Sequence, residues 1–137
     1  MNSISPASTG QKTGVLFVDD DQLMLEGLRD RFTYFGYDVY TANRSKDAVQ
    51  IVKNHHVDIA VLDIQMPEMD GYKLIRVLRE VRPELPVVFL TGKQDLETTL
   101  RTFQVQSNCL LEKPCKARDL DMNIRRIMDS LRMKAAG

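Results

Sequence analysis

Several apolar runs of this sequence end on a polar side chain that could take part in chemistry. These side chains are Asp19 with Asp20, Asp63, Thr91 and Lys113. Carboxylates that meet in one crevice repel each other, so protons or a cation must compensate their charge. A hard divalent cation such as Mg²⁺ binds carboxylate, water and phosphate oxygens. A carboxylate nucleophile, Mg²⁺, an ammonium and a hydroxyl are together the groups that phosphoryl transfer needs, so we predict phosphoryl transfer onto Asp63.

Each of these residues also has a purely structural explanation when it is taken alone. Acids are common at helix N-termini, a threonine can cap a helix, and a lysine can be a solvated surface charge. Asp21, the third consecutive acid, keeps that interpretation as a helix cap or first-turn residue. The combination of the other residues, at the ends of several predicted strands, favours a site.

The elements that must position these side chains are predicted from hydrophobic patterning. Ile59–Leu62 lacks polar alternation, which indicates a central strand buried on both faces, and ligands collect at the carboxyl ends of such strands. Five strand-like runs alternate with five amphipathic stripes, the fourth of which lies at residues 96–103. This alternation predicts parallel strands with helical crossovers, and therefore an α/β fold as a three-layer αβα sandwich. Local signals predict that Gly36 ends the first helix, that Ser45 caps the second, and that Pro67, Asp70 and Gly71 form a turn.

Size, charge and cysteine content limit the possible classes of protein. The 137 residues suit one domain, which we place at residues 14–132 between a flexible segment, 1–13, and a tail or linker start, 133–137. Lys plus Arg equals Asp plus Glu, 19 each, so no net charge favours nucleic acid or a membrane surface. The sequence has neither a membrane-spanning run nor a signal-peptide core, so we expect a cytoplasmic protein. Cys109 and Cys115 match no metal or redox motif and are expected to be free thiols.

At these residues the chain resembles the receiver domain of bacterial two-component response regulators. The resemblance covers about Thr13–Leu131 and implies a flavodoxin-like fold with a five-stranded parallel sheet in the order 2-1-3-4-5. The motifs that carry it, in the order and approximate spacing of the family, are VDD at Val18–Asp20, DIQMPEMDG at Asp63–Gly71, Thr91 with Gly92, and Lys113 with Pro114.

The resemblance implies a magnesium site and a phosphodonor. Asp63 would accept the phosphoryl group from a sensor histidine kinase or a phosphotransfer protein. Mg²⁺, for which Mn²⁺ could substitute, would be bound by Asp20, Asp63 and the backbone carbonyl of Gln65, with Asp19 acting mainly through bound water. The chain would be a signalling module and not an enzyme. Its own reactions would be only self-phosphorylation from a phosphodonor and autodephosphorylation.

The resemblance also implies how the module would signal. Lys113 would pair with the phosphoryl oxygens, Thr91 would swing in to hydrogen-bond one of them, and a cis bond before Pro114 would help to aim Lys113 inward. A binding face on the fourth helix, fifth strand and fifth helix would then change for an unknown output domain or target protein. Direct binding to nucleic acid or membrane is not expected of this segment, and a phosphorylation-dependent homodimer stays open.

Two departures and three alternatives bear on this interpretation. Leu110 stands where the family usually has Tyr or Phe, which excludes the usual aromatic rotamer change but leaves the phosphorylation chemistry intact. Gln106 and Ser107 replace a common Gly-Ala pair. A magnesium-dependent phosphatase would need a general acid at Gln65, and a phosphorylation-independent receiver would have lost the acids, Thr91 or Lys113. A flavin or nucleotide site would need a Gly-rich loop after the first strand, which DDDQLM does not provide.

Overall fold

Parallel strands alternate with helices along the chain. The computed structural model describes residues 11–63, 65–66, 69–92 and 109–136. The predicted helix at 96–103 lies outside the described residues, as do residues 1–10, Pro67, Gln106 and Ser107. The described elements, in order, are β1 (Gly14–Val18), α1 (Gln22–Phe35), β2 (Asp38–Ala42), α2 (Ser45–Asn54), β3 (Ile59–Asp63), β4 (Gln65–Met66), β5 (Met69–Asp70), α3 (Gly71–Val81), β6 (Val87–Thr91), β7 (Cys109–Glu112) and α4 (Ala117–Ala136).

The main sheet has the strand order β2-β1-β3-β6-β7, and all four pairings are parallel. This confirms the predicted order 2-1-3-4-5 of the five long strands. Every residue of β1, β3 and β6 is buried, as the uninterrupted apolar runs indicate. The register pairs Val18 with Leu62 and Asp63 with Leu90, so the residues that follow β1, β3 and β6 emerge at one edge of the sheet.

Helices cover both faces of the sheet, which confirms the three-layer sandwich. On one face, α2 and α3 contribute Ala48, Val52 and Leu78 to a core that also contains Leu16 and Phe89. On the other face, α1 and α4 contribute their own buried residues, Leu25, Phe32, Leu120 and Ile124, to a core with Val15, Phe17, Val61 and Val88. Alternate residues of each strand point to opposite faces, so the buried strands supply both cores.

The ends of the first two helices test three local predictions. Asp21 is the N-cap of α1 and accepts a hydrogen bond from the Met24 N–H at 3.1 Å, while Gly36 ends the helix in the left-handed region at φ 103°. Both predictions are confirmed. The predicted cap at Ser45 is wrong, because Arg44 is the extended residue before α2 and its carbonyl accepts from the Ala48 N–H at 3.2 Å. Ser45 is therefore already the first helical residue.

Helix α4 makes a polar contact with Tyr37, the residue before β2. The buried Tyr37 hydroxyl donates to Asp121 Oδ1 at 2.6 Å, and the Arg125 Nε donates to the same oxygen at 2.9 Å. Burial and the contact with Asp121 raise the pKa of the Tyr37 phenol above its usual value, so it stays a donor. The helix continues to Ala136, past the predicted domain end at residue 132.

Two further features concern thiols and membranes. Cys109 and Cys115 are free, as predicted, and burial raises the pKa of each thiol above its usual value. Among the described helices, none combines the length and the apolar character that crossing a bilayer would require.

Candidate functional site

Three carboxylates meet at the carboxyl edge of the sheet. Asp19 follows β1 directly, Asp20 is the next residue, and Asp63 is the last residue of the neighbouring strand β3. One carboxylate oxygen from each lies within 4.8 Å of the others. Asp19 and Asp63 are buried, whereas Asp20 is exposed. A set of hard oxygen donors open to solvent on one side suits Mg²⁺, which keeps part of its water shell, so these residues fit the predicted cation.

Lys113 brings a positive charge to the same edge. Its Nζ donates to Asp63 Oδ2 at 2.6 Å and lies 3.6 Å from Asp19 Oδ2. The residue follows β7, its backbone N–H donates to the Thr91 carbonyl at 2.7 Å, and the bond to Pro114 is cis, as the resemblance implied. Burial lowers the pKa of Lys113, but the hydrogen bond and charge of Asp63, followed by those of Asp19, outweigh burial and raise it overall.

The ammonium of Lys113 does not fully compensate Asp19. The pKa of the Asp19 carboxyl is raised to about 6 overall: burial is the largest cause, Asp63 and Asp20 also raise it, and the Asp21 N–H and Lys113 lower it. The negative charge on Asp19 is thus disfavoured even with a lysine beside it. The site favours additional positive charge, which a bound cation would supply.

The metal-free protein is expected to become more stable when Asp19 is protonated. Its folded-state pKa of about 6 lies above the ordinary 3.8, so this stabilisation is fully present below about 3.8 and is lost as the pH rises through 6. Urea unfolding of the wild type and Asp19→Asn, without added metal, should give a wild-type-minus-variant free energy that increases as the pH falls from 7.5 to 4.5, values chosen to bracket about 6. A difference that does not change with pH would contradict the expectation.

The other predicted site residues take different positions. Thr91 is fully buried at the end of β6, and its hydroxyl donates to the Gly92 carbonyl at 3.3 Å, so it lies at the same edge with a local partner. Gln65, two residues after Asp63, is the first residue of β4, and β4 pairs antiparallel with β5. The sequence predicted only a turn in this segment, because strands of two residues have no readable alternation. Leu110 packs on the core that α2 and α3 cover.

One contact at the site was missed in the sequence. The backbone N–H of Asp21 donates to Asp19 Oδ1 at 2.9 Å, so the third acid supports the first through its main chain. The run of three acids was the available signal, but it does not distinguish a backbone donor from a side-chain cap.

Comparison with known proteins agrees with this arrangement. The family model of the response regulator receiver domain matches residues 15–125. Response regulator SaeR of Staphylococcus aureus is 30% identical over 120 residues, which are 88% of this chain and 52% of SaeR. The chain thus spans about half the length of the curated relatives it matches.

Two solved structures share the fold of this chain. The CheY-like receiver domain protein of Methanospirillum hungatei JF-1 superposes with a TM-score of 0.81 at 25% identity, covering 90% of this chain and 99% of that chain. A chain solved as the adenylate cyclase of Rhodopirellula baltica has a TM-score of 0.82 at 26% identity, covering 91% of this chain and 93% of that chain. Because the family model spans most of the sequence and the strand order agrees, this chain belongs to the response regulator receiver domain family.

Proposed function

We propose that this receiver domain accepts a phosphoryl group on Asp63, in a Mg²⁺-dependent reaction, from a sensor histidine kinase or a phosphotransfer protein. The observation that carries the proposal is the meeting of three carboxylates with Lys113, whose Nζ is 2.6 Å from Asp63 Oδ2. An acidic cluster with the Lys113 ammonium against two of its carboxylates fits a reaction in which a carboxylate receives an anionic group.

Each residue has a defined part in this reaction. Asp19, Asp20 and Asp63, with the Gln65 carbonyl, would hold Mg²⁺ or Mn²⁺. The cation, when bound, supplies positive charge that neutralises the phosphoryl oxygens. An Asp63 carboxylate oxygen attacks phosphorus while the bond from phosphorus to the donor breaks, and the donor leaves with that electron pair.

Lys113 and Thr91 act on the product. Lys113 then exchanges its contact with Asp63 Oδ2 for one with a phosphoryl oxygen. Thr91 must turn its hydroxyl away from the Gly92 carbonyl before it can donate to the same group. Since the Lys113 N–H already bonds the Thr91 carbonyl, the two residues are joined through the main chain while their side chains move.

The output follows from the added charge. A phosphoryl group brings negative charge and new acceptor oxygens, and a domain with two packed arrangements can be biased by it. The changing face would comprise the predicted fourth helix at 96–103, the fifth long strand, which is β7, and the predicted fifth helix, which is α4. Its partner would be an output domain or target protein. Leu110 would pass on the change by packing, because it has no hydroxyl. A cytoplasmic location, and a homodimer that forms on phosphorylation, belong to the same proposal.

The test is the intact mass of the protein after incubation with acetyl phosphate. The wild type with Mg²⁺ or Mn²⁺ should gain one phosphoryl group, and chelator should prevent the gain. Asp63→Asn should gain none, whereas Asp30→Asn, a matched change of an exposed acid on α1, should behave like the wild type.

Two outcomes would contradict the proposal. A gain in Asp63→Asn would mean that another residue is the acceptor. No gain in a wild type whose fold is verified by circular dichroism would favour a binding module that works without phosphorylation.

A further inference from the structure

Residue 21 joins helix α1 to the acidic cluster. Its carboxylate accepts from the Met24 N–H at 3.1 Å, its carbonyl accepts from the Leu25 N–H at 3.1 Å, and its own N–H donates to Asp19 Oδ1 at 2.9 Å. The first two bonds form the start of the helix. The third bond leaves the helix and ends on a proposed metal ligand.

The two oxygens of Asp19 consequently have different surroundings. Oδ1 is bound by the Asp21 N–H, and Oδ2 faces the Lys113 Nζ at 3.6 Å. A carboxylate held at one oxygen by the main chain loses rotational freedom before any ligand arrives, and preorganisation of this kind reduces the cost of binding. Asp19 is therefore held with Oδ2 towards Lys113, the residue that also contacts Asp63.

We propose that Asp21 is a positioning residue for the metal centre, and that its side-chain cap on α1 keeps its own backbone N–H in place against Asp19. The inference rests on the proposed function, in which Asp19 helps to hold the cation. Asp21 itself would not contact the cation, because its carboxylate is engaged with the Met24 N–H, and the carboxylates that meet within 4.8 Å are those of Asp19, Asp20 and Asp63.

A competing explanation is that Asp21 acts through charge alone. A third carboxylate beside Asp19 and Asp20 would attract a cation at any orientation of its backbone. The two explanations differ for Asn and Ser, which keep a capping oxygen without the charge, and agree for Ala, which keeps neither.

The experiment compares Asp21→Ala, Asp21→Asn and Asp21→Ser with the wild type. Asp30→Ala, which removes an exposed acid elsewhere on α1, is the matched control. Calorimetric titration gives the dissociation constant for Mg²⁺, and NMR hydrogen exchange in chelator gives the protection of the residue 21 amide. Loss of the cap should weaken Mg²⁺ binding about threefold to tenfold in Asp21→Ala and lower the amide protection. Asn, Ser and the control should stay within about twofold of the wild type.

The outcomes distinguish the positioning role of Asp21 from the metal-dependent function of the site. Equal weakening in Ala, Asn and Ser would show that charge acts and would overturn the positioning role. Unchanged binding in Asp21→Ala, or unchanged protection of its residue 21 amide, would also overturn it. Failure of the folded wild type to bind Mg²⁺ would instead overturn the metal-dependent function on which the inference rests.

Discussion

Replacement of Lys113 by methionine is expected to lower the free energy of unfolding of the metal-free protein by roughly 3 kcal/mol. Lys113 is the ammonium partner of Asp63 at 2.6 Å and lies 3.6 Å from Asp19, and both carboxylates are only 4% exposed. Methionine keeps the apolar stem but leaves both buried carboxylates without this positive charge. Urea unfolding in chelator at neutral pH measures the loss.

A double-mutant cycle isolates the contribution of that contact. Lys113→Met should lower the free energy of unfolding much less in an Asp63→Asn background, because that background no longer has the Asp63 carboxylate that Lys113 neutralises. Mg²⁺ should restore stability to Lys113→Met more than to the wild type, since the cation takes over the charge of the missing ammonium. Lys116→Met, at an exposed position, is the matched control and should change stability by less than about 0.5 kcal/mol. A coupling energy near zero would contradict a stabilising role for the contact.

Gly14→Ala is expected to destabilise the protein by about 3 kcal/mol or more. A Cβ built on Gly14 would lie 2.1 Å from the backbone oxygen of His56, which is main chain and cannot move away as a side-chain tip can. Gly14 also exchanges two hydrogen bonds with Asp58, both 2.8 Å, so the strand cannot shift to make room. Thermal and urea unfolding both measure the change.

Gly27→Ala is the matched control and should change stability in the opposite direction. Gly27 lies inside α1, and nothing lies within 4 Å of the Cβ it would gain. Alanine is favoured over glycine in a helix interior by about 0.8–1 kcal/mol, so the variant should be more stable than the wild type. Equal effects of the two substitutions would mean that the close approach at Gly14 does not limit packing.

The strands could be predicted because their signal is in the local sequence, whereas their order in the sheet was implied by the resemblance to the receiver domain family. Apolar runs such as Ile59–Leu62 need two covered faces, and only a few topologies of alternating strands and helices provide them. The Ser45 cap failed because α2 begins one residue before the position that its capping side chain indicates: the extended Arg44 is the N-cap, and it makes no side-chain cap hydrogen bond. The close approach of Gly14 to His56 depends on two distant segments, which no local pattern reports.

The candidate site was predictable to a similar extent. Asp19, Asp20, Asp63 and Lys113 could be placed together because parallel strands end at a common edge. Individual partners could not be predicted, since they depend on side-chain rotamers and on which oxygen faces which donor. The bond from the Asp21 N–H to Asp19 and the local partner of the Thr91 hydroxyl are of this kind. The roles of all these residues in catalysis and metal binding stay predictions.

The cover that α4 gives to one face of the sheet has a consequence for biosynthesis. Phe17, Val61 and Val88 are packed beneath Leu120 and Ile124, which come after them along the chain. A ribosome therefore makes this face of the strands before it makes the helix residues that shield it, and chains emerge at only about 5–20 residues per second. The growing polypeptide carries exposed apolar surface until α4 has left the exit tunnel. Chaperone binding during translation should be strongest in that interval and should end when the helix docks.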